Sequence, residues 1–172
     1  MINKYWLTYL LLLIAQIILG DMLNLSQHVV LFFLPLMILS LPISYGSIHT
    51  MTVAFLTGFA VDFFTHGVLG LTVMALVPVA FTRELVIKLV FGNELVARQE
   101  DLSVHKQGFP KVALAALIST ALFLLIYIPV DCAGARPFGF VVSKILLSLL
   151  VSIPVSLYAA RLLSIKEADR WN

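Results

Sequence analysis

Long uncharged apolar stretches dominate this sequence. From Met22 to Val61 the chain contains no Asp, Glu, Lys or Arg, and the stretch from Phe63 to Thr82 is again uncharged. A helix that crosses a bilayer needs about 20 apolar residues, whereas soluble domains carry about 25% charged residues. Here 61% of the 172 residues are hydrophobic and 12% are charged. The pattern predicts an all-α integral membrane protein with a single membrane domain over residues 1–172.

Proline, glycine and charged residues divide the apolar stretches into six predicted spans. The N-terminal stretch has the charge-then-apolar form of a signal peptide but lacks an A-x-A cleavage site before Asp21, so we expect it to remain as the first span. Pro35, Pro78 and Pro154 lie inside apolar stretches, where proline kinks a helix or opens it locally. The predicted spans cover about residues 5–20, 28–42, 47–64, 68–90, 111–130 and 138–163.

The basic residues predict the orientation of the spans. Cytoplasmic loops of membrane proteins carry an excess of Lys and Arg. With a cytoplasmic N-terminus, six spans place two basic residues outside, Arg136 and Lys144. The other nine fall on the cytoplasmic side: Lys4, Arg83, Lys88, Arg98, Lys106, Lys111, Arg161, Lys166 and Arg170. The sequence therefore predicts that both termini are cytoplasmic, and the polar loop 92–110 with them. That loop is either a solvated connector or a docking segment for a cytoplasmic partner.

The residues that usually carry enzymatic chemistry are missing from the pattern. The sequence shows no paired carboxylates within a span, no HExxH motif and no glycine-rich phosphate loop. The four histidines, at positions 28, 49, 66 and 105, lack ligand spacing, and the single cysteine, Cys132, excludes an internal disulfide. The basic residues are too few and scattered for a nucleic-acid site. We expect no catalysis, no metal and no cofactor, and an inert buried thiol at Cys132.

Asp62 is the carboxylate closest to the middle of the apolar stretches. At about 1.5 Å per residue from Ser47, it lies near the outer end of the third span, where a proton relay through the membrane is disfavoured. The macrodipole also disfavours an anion at a helix C-terminus. We therefore expect Asp62 to accept hydrogen bonds from the free amides that begin the next helix. Gly67 is expected to adopt a left-handed conformation in the intervening turn.

Small residues mark one face of the third span and one of the fifth. Thr50, Ala54, Gly58, Asp62 and His66 recur every four residues, which places them on one helix face. The second small face is Ala115 and Ser119, beside Ala116 and Thr120. Small faces let helices approach closely in lipid. Two interpretations remain: internal packing, or binding of a partner's transmembrane helix.

Several of these features occur together in a recognisable order. An apolar run closed by Leu-Pro is followed by G-x-x-x-D, a polar turn, Leu-Gly-Leu, and an alanine-containing helix with a basic end. The matching residues are Leu41, Pro42, Gly58, Asp62, Leu69, Gly70, Leu71, Ala75, Ala80 and Arg83. This arrangement, over about residues 34–89, resembles the family of the bacterial rod shape-determining protein MreD.

The resemblance implies a role that the residues alone do not show. Members of the MreD family are non-catalytic components of the cell-elongation machinery (elongasome) in the bacterial inner membrane. The expected partners are the transmembrane helix and periplasmic side of MreC, membrane lipid and, indirectly, MreB filaments, RodA and its penicillin-binding transpeptidase. The family is also similar in fold to the S-components of energy-coupling-factor transporters. Structural or partner-binding roles are implied for Pro42, Gly58, Asp62, Gly67, Gly70 and Arg83.

Two other functional classes are compatible with the hydropathy pattern. A vitamin-binding S-component would share the six spans, but it should bring polar and aromatic residues to an outward pocket and carry an A-x-x-x-A face on its first helix. The first span lacks that face. A small proton-coupled carrier would need an ionisable pair within the spans and inverted repeats, which the sequence does not show. The polar residues predicted at the outer ends are Asn24, Gln27, Asp62, His66, Asp131 and Arg136.

Overall fold

The computed structural model of the chain describes residues 4–23, 30–42, 45–65, 68–92, 109–132 and 136–168. These residues form six helices and no strand. The helices are α1 (Lys4–Leu23), α2 (Leu34–Leu39), α3 (Ser47–Phe64), α4 (Leu71–Phe91), α5 (Phe109–Cys132) and α6 (Phe138–Ala168). The predicted all-helical class is confirmed.

The helices have the lengths and surfaces of a membrane protein. Within the described ranges, three apolar stretches are long enough to cross a bilayer: Ser47–Phe64 in α3, Pro110–Cys132 in α5 and Phe138–Tyr158 in α6. Large apolar side chains also cover the outside of the bundle, as at Phe63, which is 66% exposed, and Leu150, which is 72% exposed. Lipid is the solvent in which such a surface is stable.

Five helices form a closed ring around the sixth. Around the ring, α1 packs on α3, α3 on α4, α4 on α5, α5 on α6, and α6 on α1. The short helix α2 contacts all five, and its six residues are all buried. The centre of the molecule is therefore a helix of fewer than two turns.

The first and third helices run in the same direction. The Tyr9 hydroxyl lies 2.9 Å from the Thr57 hydroxyl. Toward the C-terminal ends of both helices, a Cβ added at Gly20 would lie 3.9 Å from the Thr65 side chain. Because α1 and α3 are parallel, the chain between them must return to the side of the bundle on which α1 begins. The segment containing α2 makes this return, through the middle of the ring.

The predicted second span is wrong as a continuous helix. Only Leu34–Leu39 is helical, and residues 30–33 before it are not; residues 28 and 29 lie outside the described residues. Pro35 stands in the first turn of α2, where a missing N–H costs little, so it starts the helix instead of kinking it.

The side chain of Gln16 stabilises this broken segment from α1. Its Nε2 donates to the carbonyl of Leu31 at 3.0 Å, and its Oε1 accepts from the N–H of Phe33 at 3.1 Å. Gln16 is fully buried. Non-helical backbone inside a membrane domain is stable only where protein groups satisfy its polar atoms, and one amide here satisfies two of them.

Two serines of α6 support the segment from the opposite side. The Oγ of Ser148 accepts from the N–H of Val30 at 3.0 Å, and the Oγ of Ser152 accepts from the N–H of Phe32 at 3.3 Å. Both serines are fully buried. Their four-residue spacing places both hydroxyls on one helix face, and residues two apart in an extended strand point their N–H groups the same way. The two periodicities therefore match.

The remaining spans agree with the sequence analysis apart from their ends. The sixth helix continues to Ala168 instead of residue 163, and α4 begins at Leu71 instead of residue 68. Pro78 lies inside α4 and Pro154 inside α6, as predicted, and Pro129 also lies inside α5. Residues 93–108 of the predicted polar loop lie outside the described residues.

Replacing Ser152 with alanine should destabilise the fold. Ser152→Ala leaves the buried N–H of Phe32 without its acceptor, and we expect the free energy of unfolding to fall by about 1–3 kcal/mol. Ser143→Ala on the same helix is the control, because the Ser143 hydroxyl is exposed and bonds only to the nearby carbonyl of Phe140. Reversible unfolding in mixed micelles measures both. Equal stability of the two variants would contradict the supporting role of Ser152.

Candidate functional site

Asp62 joins α3 to α4. Its Oδ2 accepts from the N–H of Gly70 at 2.9 Å and of Val73 at 3.4 Å, and the N–H of Thr72 lies 3.1 Å from both carboxylate oxygens. These amides begin α4 and have no partner within that helix. The predicted cap is therefore present: the carboxylate at the end of α3 lies on the positive end of the α4 dipole. Asp62 is 6% exposed.

The turn between the two helices depends on a glycine with positive φ. Gly70 precedes α4 with φ 93°, a conformation that a residue with a Cβ adopts only with strain. The sequence analysis assigned this conformation to Gly67, which lies outside the described residues together with His66. In the described turn it is Gly70 that directs its own N–H at the carboxylate of Asp62.

Gly58 allows the two helices to approach closely one turn before Asp62. A Cβ at position 58 would lie 3.0 Å from both the Cα and the N of Val73, closer than nine in ten real Cβ contacts. Val73 is itself one of the residues whose N–H points at Asp62. The G-x-x-x-D spacing therefore has a physical meaning: glycine sets the interhelical distance that the carboxylate then bridges.

The small faces predicted on α3 and α5 are covered by the chain itself. Thr50, Ala54 and Gly58 are buried on α3, and Ala115 and Ser119 are buried on α5. Of the two interpretations left open by the sequence, internal packing is the one that accounts for this burial. In this arrangement the small residues do not form a surface for a partner's helix.

Arg83 binds the C-terminal end of the central segment, the stretch of residues 30–41 that contains α2. Its Nε donates to the carbonyl of Leu39 at 3.2 Å and its Nη2 to the carbonyl of Leu41. These carbonyls end α2, where a cation is favoured by the helix dipole. The side chain is 6% exposed, so Arg83, which the sequence analysis counted on the cytoplasmic side, is an internal anchor. Pro42 follows directly and accepts from the N–H of Tyr45 at 3.2 Å.

An ion pair joins α5 to α6 at the end of the bundle that contains Asp62. The Nζ of Lys144 lies 2.8 Å from Oδ2 of Asp131, and Lys144 is only 8% exposed. The sequence analysis placed Lys144 on the outer side and did not predict its partner. A lysine within an apolar stretch needs a nearby partner, and that rule, applied to "FVVSKILL", is the signal that points to Asp131.

A pocket of about 380 Å³ lies at this end of the bundle. Asp62 of α3 and Asp131 of α5 both line it, together with Tyr127, one turn before Asp131 on α5. Among the described lining residues there is no Lys, Arg or His. The polar lining is Gln16, Asp62, Thr65, Thr72, Tyr127 and Asp131, and the apolar lining includes Val30, Leu31, Phe32, Val61, Val68 and Leu71. The sequence analysis expected only sparse outer polar residues and did not place Gln16 or Tyr127 there.

One wall of the pocket is aromatic. The ring of Tyr127 packs edge-on against Phe32 with centroids 4.7 Å apart and stacks on Phe123 at 5.5 Å. Phe32 belongs to the extended part of the central segment, so the same hydrogen bonds that hold this segment also set the wall. The Thr65 hydroxyl, on another side, is buried and has no hydrogen-bond partner among the described residues.

No protein-family model, curated protein or solved structure matches this chain. Among the residues that the structure describes, no three His, Cys, Asp or Glu side chains are placed to hold a metal ion. Cys132 is a buried free thiol. The functional proposal below therefore depends on the residues themselves and on the resemblance of their order to a known pattern.

Asp62 should contribute to stability through its acceptor oxygens. We expect Asp62→Ala to lower the free energy of unfolding by about 1–2 kcal/mol, as for other lost caps. Asp62→Asn should lower the free energy of unfolding by less than Asp62→Ala. One acceptor oxygen remains in asparagine, although its NH₂ group cannot accept from the amides of α4. Thermal unfolding of the purified variants measures this, with the exposed Glu84→Gln on α4 as control. Wild-type stability in both Asp62 variants would rule out the cap.

Gly58 should not tolerate even one additional methyl group. Gly58→Ala pushes a Cβ against the backbone of Val73, and overpacking of this kind costs about 1–3 kcal/mol. Gly139→Ala is the matched control in a helix, because a Cβ there meets nothing within 4 Å; alanine should leave stability unchanged or raise it by about 0.5–1 kcal/mol. If both variants unfold at the same denaturant concentration, the close approach of α3 and α4 at Gly58 does not limit stability.

Proposed function

We propose that this chain is a non-enzymatic scaffold of the MreD type in the bacterial inner membrane. In this proposal six spans place both termini in the cytoplasm, and the chain binds MreC, thereby helping to couple MreB filaments to peptidoglycan synthesis by RodA and its transpeptidase. The observation that carries the proposal is the position of the motif residues. Gly58, Asp62 and Gly70 build the joint between α3 and α4, and Arg83 ties α4 to α2.

This position explains why such a motif would be a family signature. Gly58, Asp62 and Arg83 each act on the backbone of another element, so these members of the motif specify the arrangement of α2, α3 and α4 and not a reaction. A scaffold requires that property, because a partner recognises a fixed surface. Catalytic roles would instead require ionisable groups directed at a substrate.

The outward face of α3 is the surface we assign to the MreC helix. The small face of α3 is used inside the chain, whereas Phe55, Phe59 and Phe63 lie on its exposed side. Their rings stack in sequence, with centroids 6.3 Å and 6.4 Å apart. Helices associate in lipid mainly by van der Waals packing, and rings held by mutual stacking lose little side-chain entropy on contact.

A second candidate function is supported by a different observation. The pocket at the Asp62 end has the mixed polar and aromatic lining that the S-component of a vitamin transporter would need. In that case the chain would deliver a small molecule and would associate with an energising ATPase module instead of MreC. The two candidates therefore differ in their stable partners.

Co-purification from native membranes separates these candidates. Tagged full-length protein, extracted in mild detergent after brief crosslinking, should recover an MreC-type bitopic protein together with elongation synthases. Recovery of an ABC-type ATPase module in their place would overturn the scaffold proposal and support the transporter. Recovery of neither class would contradict both.

Paired variants test the assigned face. Phe59→Ala removes the central ring of the stack, and we expect recovery of MreC to fall several-fold. Leu125→Ala on α5 is the control, since this residue is comparably exposed, at 63%, but lies on another helix. Equal recovery of MreC with both variants would show that the stack is not the contact.

A further inference from the structure

We propose that the pocket at the Asp62 end binds a small organic cation, an amine with a compact apolar body. The inference depends on the pocket alone. It goes beyond the scaffold role, and for a transporter it would name the substrate class. Its failure leaves the co-purification result unaffected, so the two proposals stand or fall separately.

The charges of the pocket select the sign of the ligand. Asp62 and Asp131 are the charged groups among its described lining residues, and Lys144, which pairs with Asp131, is not among them, so the charges that face a ligand are negative. The α4 amides, which otherwise attract anions at a helix N-terminus, are already occupied by Asp62. They are therefore not free to bind a second anion.

The two carboxylates differ in what they can offer. Asp62 accepts three backbone N–H groups and is nearly fully buried, so it contributes mainly to the negative potential. Lys144 contacts one oxygen of Asp131, whose side chain remains 34% exposed. Asp131 is therefore the carboxylate that an ammonium group can reach. A charged hydrogen bond of this kind changes affinity by about tenfold or more.

The uncharged lining fits the remainder of such a ligand. Tyr127 and Phe32 present aromatic surface, which attracts cations within about 6 Å of a ring centroid. The unpartnered hydroxyl of Thr65 supplies a further polar contact, and Leu31 and Leu71 supply apolar surface. A volume of about 380 Å³ is near the lower end of the roughly 300–1,000 Å³ of ligand pockets. It suits a molecule larger than a metal ion and smaller than a nucleotide.

The test compares three probes of one shape and different charge. Full-length protein in lipid nanodiscs is titrated calorimetrically with 2-phenylethylamine, with neutral 2-phenylethanol and with anionic 3-phenylpropionate. We expect saturable binding of the amine at least about tenfold tighter than that of the alcohol, and none of the acid. Equal affinity for amine and alcohol, or absence of saturable binding of the amine, overturns the proposal.

Variants assign the binding to this pocket. Asp131→Asn should weaken amine binding about tenfold or more, whereas Glu84→Gln, which breaks the comparable pair between Glu84 and Lys88, should leave it unchanged. Because Asp131→Asn also leaves Lys144 without its anion, Thr65→Val provides a second variant, which removes the pocket hydroxyl and keeps the shape of the side chain. It should weaken binding severalfold, and Thr52→Val, whose exposed hydroxyl bonds to the carbonyl of Ile48, should not. Wild-type affinity in both pocket variants would overturn the assignment.

Discussion

The structure depends on how the backbone of residues 30–39 is satisfied in the middle of the ring. An extended segment has no internal hydrogen bonds, and lipid or apolar protein offers none. Gln16 and two serines of α6 supply them at one end, and Arg83 binds the carbonyls at the other. Four of the surrounding side-chain groups are thus committed to one short segment, and α1, α4 and α6 are placed by their need to reach it.

The joint at Asp62 works by the same physics at a helix end. The carboxylate of α3 takes the place of the acceptors that the first amides of α4 lack, and Gly58 removes the Cβ that would hold the two helices apart. The negative end of the α3 dipole and the positive end of the α4 dipole thus meet at the carboxylate of Asp62. This joint and the central segment meet at the pocket, whose walls include Asp62 and Phe32.

The sequence analysis succeeded where the relevant partners are close in the chain. Asp62 and the amides of α4 are about ten residues apart, so a misplaced anion at one helix end and a glycine-rich turn predicted the cap. It failed for the second span, because apolar residues in a row indicate burial but not helicity. The hydrogen bonds from Ser148 and Ser152 come from about 120 residues away. The pair of Lys144 with Asp131 was missed because Lys144 lies in the predicted sixth span, whereas Asp131 was placed just after the fifth.

By itself, the sequence determined the membrane environment, the helical class and the capping role of Asp62. Each follows from local hydropathy, helix geometry or the electrostatics of one helix end. Only the tertiary structure decided that the second span is broken, that Arg83 and Lys144 are internal, and that the polar residues of four elements surround one pocket. Those features depend on which distant side chains meet across the ring, and packing sets that choice.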